Sequence, residues 1–178
     1  QEQARSNLRV AIHRLREQLD AYVVVTRQHL ALNLDAPVTV DAVQFEAHLA
    51  TGELEAATAL YRGDFLEGFY LDGSPEFEHW TLLERERLGT VTLAAWQQLV
   101  GQQVAAGTLD LAVDSARHLL VLDPLHEPTH RQLMRLLAKG GQRSAAVAQY
   151  EICRQLLASE LGVTPDDVTT ALYEQIRA

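Results

Sequence analysis

The sequence predicts an all-α protein, an α-α superhelix of paired helices, preceded by one further helix and a β-hairpin. Three observations carry that prediction. Small residues recur at a displacement of 34, with Gly107, Ala112 and Ala116 answered by Gly141, Ala146 and Tyr150. Proline stands only near the ends of helix-patterned segments. Apolar residues follow the 3.6-residue period nearly throughout, and the exception is the β-branched run from Tyr22 to Thr26.

Taken in order, Leu8, Ile12, Leu15 and Leu19 fall on one stripe of a helix running from about Ala4 to Leu19. Arg9, His13, Arg14 and Glu17 lie on or beside its opposite face. Tyr22–Thr26 and His29–Asn33 then read as two short strands, although the intervening Arg27-Gln28 is not a favoured type I′ pair. From Asp41 onward the pattern predicts helices over 41–51, 53–62, 75–106, 109–122, 127–139, 143–160 and 165–177. Asp41 with Gln44 has the form of a capping box, while Ser74-Pro75 and Thr164-Pro165 place a cap before proline at the first helical position. Between Arg62 and Ser74, three glycines alternate with Phe65, Leu66, Phe69 and Tyr70, which predicts a loop whose aromatics pack back onto the helices.

The recurring small residues have a direct physical purpose. Glycine allows the left-handed turn between two antiparallel helices, and the alanine five residues later lets those helices approach closely. Gly52, Ala57 and Tyr61 show the same comb earlier in the chain. A period of 34 residues is that of the tetratricopeptide repeat. Residues 95–126 resemble one complete repeat, with Trp96, Leu99, Gly107, Ala112 and the closing Asp123-Pro124, and Leu99 recurs as Leu133. The next unit departs from the pattern, since His130 replaces the aromatic and the closing proline is delayed to Pro165. These positions define a scaffold that could present a surface to a partner chain.

Composition narrows the function. The 178 residues are 47% hydrophobic and hold a single cysteine, which fits a reducing compartment, and there is neither a signal-peptide pattern nor an apolar run long enough for a membrane span. A cytoplasmic protein is expected. The net charge of -9 hides an asymmetry: residues 1–34 hold five arginines against three acids, whereas the rest holds 10 basic and 21 acidic side chains. A basic head on an acidic body hints at a nucleic-acid-facing end.

Catalytic and metal chemistry find little support. His126-Glu-Pro-Thr-His130 matches the H-E-x-x-H pattern of zinc proteases, yet Pro128 puts His126 before or at the helix start, so the two imidazoles need not share a face. A proline-started helix is the favoured reading, with no metal and no cofactor. Cys153, among Ile152, Leu156 and Leu157, reads as a buried inert thiol. Glu84, Arg85, Glu86 and Arg87 alternate in sign as a solvated face would. No phosphate loop or nucleophile elbow is present, and no enzyme activity is expected.

Several collinear motifs then point to one family. Ala4-Arg-Ser-Asn-Leu-Arg-Val-Ala-Ile-His-Arg-Leu-Arg-Glu-Gln-Leu19 resembles the recognition helix of the OmpR-like winged helix in SARP-type bacterial transcriptional regulators, and Tyr22 to Asn33 resembles the wing that follows it. Phe45-Glu46, Leu60-Tyr-Arg-Gly-Asp-Phe-Leu-Glu-Gly-Phe69, Glu84-Arg-Glu-Arg-Leu88, Leu122 to Met134 and Glu160-Leu-Gly-Val-Thr-Pro165 are similar to successive motifs of the bacterial transcriptional activator domain. The resemblance implies two parts: residues 1–34 as the C-terminal remnant of a winged-helix DNA-binding domain, truncated at Gln1, and residues 35–178 as a tetratricopeptide-like activator domain. It carries DNA-facing roles onto Asn7, Arg9, His13, Arg14 and Arg16, with Arg27 at the wing as a phosphate contact. Implied partners are DNA, through a completed winged helix, and proteins such as RNA polymerase or another regulator domain, with homodimerisation a further expectation. The alternative that the repeat pattern alone allows is a protein-binding scaffold unrelated to transcription.

Overall fold

The structure is a computed structural model that describes residues 2–33 and 35–178. It divides into two compact units, Gln1–Val40 and Asp41–Ala178. The first contains helix α1 (Glu2–Leu19), a single 3-10 turn (Asp20–Tyr22) and the antiparallel strands β1 (Val23–Val25) and β2 (Leu30–Leu32), in register Val23↔Leu32, Val24↔Ala31 and Val25↔Leu30. Arg27-Gln28 makes the turn without asparagine or glycine because Thr26 closes it. The Thr26 hydroxyl accepts from the N–H groups of Gln28 and His29 at 3.2 and 3.1 Å, and Thr26 N–H donates to His29 C=O at 2.9 Å. None of the described residues in this unit is buried.

The second unit is α2 (Asp41–Thr51), α3 (Leu54–Leu60), α4 (Pro75–Ala105), α5 (Leu109–Leu122), α6 (Glu127–Lys139), α7 (Arg143–Glu160) and α8 (Asp167–Arg177). The pairs α2/α3, α4/α5 and α6/α7 share one turn chemistry. Gly52, Gly107 and Gly141 adopt φ of 77°, 78° and 77°. At each, the glycine N–H reaches the carbonyl three residues back and the next N–H reaches five back, as in Glu53 to His48, Thr108 to Gln103 and Gln142 to Leu137. That is the Schellman closure, which a residue with a Cβ would enter only against left-handed strain. Five residues beyond each glycine, Ala57, Ala112 and Ala146 are fully buried where paired helices touch. The main core joins Val100, Ala116, Leu133 and Leu137 to two of these alanines, and smaller clusters sit around Phe45 and Leu88 and around Met134, Tyr150 and Leu172.

Three expected helix starts differ in their caps. Asp41 is already helical and its carboxylate takes the Ala42 N–H at 2.8 Å rather than closing a box with Gln44. Ser74 caps through its backbone carbonyl, which accepts from Phe77 and Glu78, with Pro75 in the first turn. The last helix begins two residues later than expected because Asp166, not Thr164, caps it by accepting from Thr169 N–H at 2.6 Å. Helix α3 is also shorter than predicted, ending at Leu60 as the chain turns extended at Tyr61.

Two of the loop aromatics pack back onto α4, whereas Tyr70 stays 69% exposed. Phe65 meets Trp80 edge-on at 5.5 Å and Phe69 meets Phe77 at 5.9 Å. The charge run on α4 is not simply solvated: Arg85 Nε and Nη2 donate to the carbonyls of Phe65 and Leu66, both at 2.7 Å, and Arg87 ties Glu84 to Glu46. Arg85 thereby fixes the loop, including Leu66 at φ 51°.

Candidate nucleic-acid interface

The arginines of unit Gln1–Val40 come from both of its elements. A broad open cleft of about 1110 Å³ runs along α1 beside the end of β1, lined by Arg5, Arg9, His13, Arg16 and Arg27, with Leu8 and Ile12 among its apolar walls. Helical spacing explains the gathering, since Arg5, Arg9 and His13 follow at four-residue steps and Arg16 three later. Of the six candidates, the cleft brings together Arg9, His13, Arg16 and Arg27. Asn7 and Arg14 do not line it, because their positions fall on the other flank of α1. Arg5 was not singled out from sequence, although its four-residue spacing to Arg9 was a usable signal.

Acidic neighbours restrain part of this charge. Arg16 Nε meets Asp20 at 2.5 Å and His13 Nε2 meets Glu17 at 3.5 Å, while Asn7 accepts from Gln3 at 3.0 Å. All are exposed one-turn contacts, individually worth about 0.5 kcal/mol or less and easily exchanged for phosphate. Among the described residues, Arg5, Arg9, Arg14 and Arg27 have no carboxylate partner. The predicted stripe is only partly covered: Leu8 is 60% and Leu19 42% exposed, Ile12 and Leu15 are half-buried, and α1 buries no residue. Burying such side chains is worth about 1.5–3 kcal/mol each. This face is built to be covered.

In the second unit the metalloprotease-like motif serves as a structural joint. His130 is 1% exposed, with Nε2 at 2.8 Å from the Pro124 carbonyl and Nδ1 at 2.7 Å from Gln149 Nε2, so both nitrogens are engaged within the protein. Burial holds its pKa below the ordinary value, a shift only partly offset by the Pro124 bond. The Glu127 carboxylate accepts from Asp166 N–H at 3.0 Å and from the Thr169 hydroxyl at 2.7 Å, docking the N-terminus of α8 onto α6. Arg131 closes the joint on Asp166 at 2.7 Å and on Thr169 at 2.8 Å. Burial raises the Asp166 carboxyl somewhat, but the Thr169 bonds and Arg131 outweigh it and leave the pKa lowered. Cys153 is fully buried, and desolvation pushes its thiol up to about 11. Among the described residues, no three His, Cys, Asp or Glu side chains gather as metal ligands, and no helix is long and apolar enough to cross a membrane.

Together these features define a class, a tetratricopeptide-like helical domain that follows a basic helix and hairpin in the chain. Residues 34–177 match the family model of the bacterial transcriptional activator domain, and the chain belongs to that family, the helical domain of SARP-type transcriptional regulators. It is 29% identical over 184 residues to the regulatory protein AfsR of Streptomyces coelicolor, covering 98% of this chain and 18% of AfsR. It is also 32% identical over 79 residues to the transcriptional regulatory protein MoaR1 of Mycobacterium tuberculosis, covering 44% of this chain and 25% of MoaR1. Among solved structures, Mycobacterium tuberculosis EmbR in complex with a low affinity phosphopeptide shares the fold, with a TM-score of 0.61 and 20% identity over 98% of this chain and 50% of that one. The chain thus spans a quarter or less of the length of these sequence relatives. Nothing in these comparisons favours the scaffold unrelated to transcription.

Proposed function

We propose that α1 and the β1–β2 hairpin act as the recognition helix and wing of a winged helix that reads promoter DNA, and that the helical unit makes the protein contacts through which the regulator activates transcription. The observation that carries this reading is the set of arginines without carboxylate partners on α1 and the hairpin, beside an apolar stripe that requires a covering core. On this reading the DNA contacts of α1 are Arg9, His13 and Arg16 on the cleft side and Asn7 and Arg14 on its other flank, and Arg27 meets a phosphate. RNA polymerase or a second regulator domain is the protein partner, homodimerisation would use the same helical unit, and the protein works in the cytoplasm without catalysis of its own.

A mobility-shift titration on the regulator's own promoter tests the DNA part. Residues 1–178 alone bind poorly, because α1 lacks its core, whereas the chain joined to a complete winged helix binds tightly. Alanine at Arg9, Arg14 or Arg27 in the latter weakens binding, and alanine at Arg27, the phosphate contact, also lowers the slope of log K against log salt by about 0.9. Tight sequence-specific binding by residues 1–178, or an unchanged slope in Arg27→Ala, contradicts the assignment.

A further inference from the structure

The short helix α3 leaves part of α4 uncovered. Helix α5 has 14 residues and α7 has 18, but α3 has only 7. The opening over α4 is a groove walled by α3 on one side and α5 on the other. One part, of about 530 Å³, is lined by Trp96, Leu99 and Gln103 from α4 and by Leu111, Ser115 and His118 from α5. The second, of about 380 Å³, includes Arg85, Thr92, Val121 and Leu122, and Tyr61 borders both.

Two of the residues lining this groove carry a buried oxygen without the partner that buried polar atoms need. Gln103 is 8% and Thr92 1% exposed, yet Gln103 Oε1 and Thr92 Oγ1 have no hydrogen-bond partner. They stand about three helical turns apart on one face of α4, a span of about 16 Å. That matches about five residues of extended chain. Such unpaired groups cost stability unless an occupant satisfies them. A helical occupant has spent its own N–H groups, whereas an extended backbone offers both N–H and C=O and so satisfies the amide in either orientation.

The walls specify the rest of the occupant. Leu111 is 52% and Val121 75% exposed, one at each end of the α5 wall. Glu55, Asp64 and Glu86 line the groove, and the guanidinium of Arg85 is already committed to the loop carbonyls. We propose that this groove binds an extended, basic segment of a partner protein about five residues long, with aliphatic side chains at its two ends. The proposal rests on the helical unit being a partner-docking domain, and it adds the position and chemistry of the contact.

The test is a titration of the 15N-labelled 178-residue chain with acetyl-Leu-Lys-Ala-Lys-Val-amide, with a twin carrying glutamate for lysine and with a twin N-methylated at the central residue. The expected result is saturable shifts at the Trp96 indole N–H and the Gln103 side-chain amide, with both twins weaker by about fivefold or more. Gln103→Leu and Thr92→Val each weaken the basic peptide by about fivefold to tenfold while leaving Tm unchanged or raised, since each removes an unpaired buried group. Absence of saturable shifts at those two residues, equal binding of the acidic twin, or unchanged affinity in both variants overturns the proposal. Shifts there that depend on protein concentration without peptide also overturn it, by showing a second copy in the groove. A failure here with promoter activation intact removes the groove and leaves the regulator reading standing.

Discussion

Glu127 stands where a zinc protease would keep its general base, and in this protein its carboxylate is consumed by the start of another helix. Glu127→Ala leaves the Asp166 N–H and the Thr169 hydroxyl without their acceptor and Arg131 with one fewer anion, so chemical denaturation should show a loss of about 2–3 kcal/mol. His130 supplies the pH dependence. Its folded pKa lies below the ordinary 6.5, so the unfolded chain takes up the proton first on acidification. Its stabilising contribution is therefore complete above about pH 6.5 and is lost as pH falls below it. Thermal unfolding between pH 8 and pH 5 should show a decline that is shallower in His130→Gln, and an identical decline would dissociate His130 from the effect. Cys153, with its thiol pushed up to about 11, should react with a thiol reagent only on unfolding. The sequence already placed Cys153 in a core and His126 at a helix start. It could not show the Glu127–Asp166 joint, which bonds residues 39 positions apart through a cap shifted from Thr164 to Asp166.

Element by element, the repeat was the most legible feature, because one turn chemistry recurs with the same residue type each time. Gly107 at φ 78° and Gly101, helical near the C-terminal end of α4, make opposed predictions, although an added Cβ would touch nothing within 4 Å at either. Gly107→Ala should cost about 1–2 kcal/mol through left-handed strain alone, whereas Gly101→Ala should stabilise by about 0.5–1 kcal/mol. Paired melting curves check both signs. Less legible was the end of α3, since Tyr61 continues the comb spacing yet the chain leaves the helix there. The hairpin turn was equally opaque, because a threonine hydroxyl replaced the glycine-based geometry. The alternating charges on α4 concealed their function as well: Arg85 bonds carbonyls 19 and 20 residues away, a contact that local periodicity cannot encode.

At the scale of the whole molecule, the charge of -9 is the sum of two different surfaces, a basic helix with its hairpin and an acidic helical unit. The helical unit has its own buried core, and the first unit buries none of its described residues. Burial thus separates a self-sufficient scaffold from a segment whose apolar stripe needs a cover. The candidate site was readable as a set of residue types on a helix, and helical spacing already parts Arg9, His13 and Arg16 from Asn7 and Arg14, but that Arg27 joins the first group in one cleft was not, because it depends on where the hairpin lies against α1. On the proposed function, DNA reading and activation reside on different units of the chain. The most direct test is run-off transcription with RNA polymerase, alongside promoter footprinting, using the chain joined to its complete winged helix with and without residues 41–178. Removing the helical unit should preserve the footprint and abolish activation. Full activation without residues 41–178 would contradict that division.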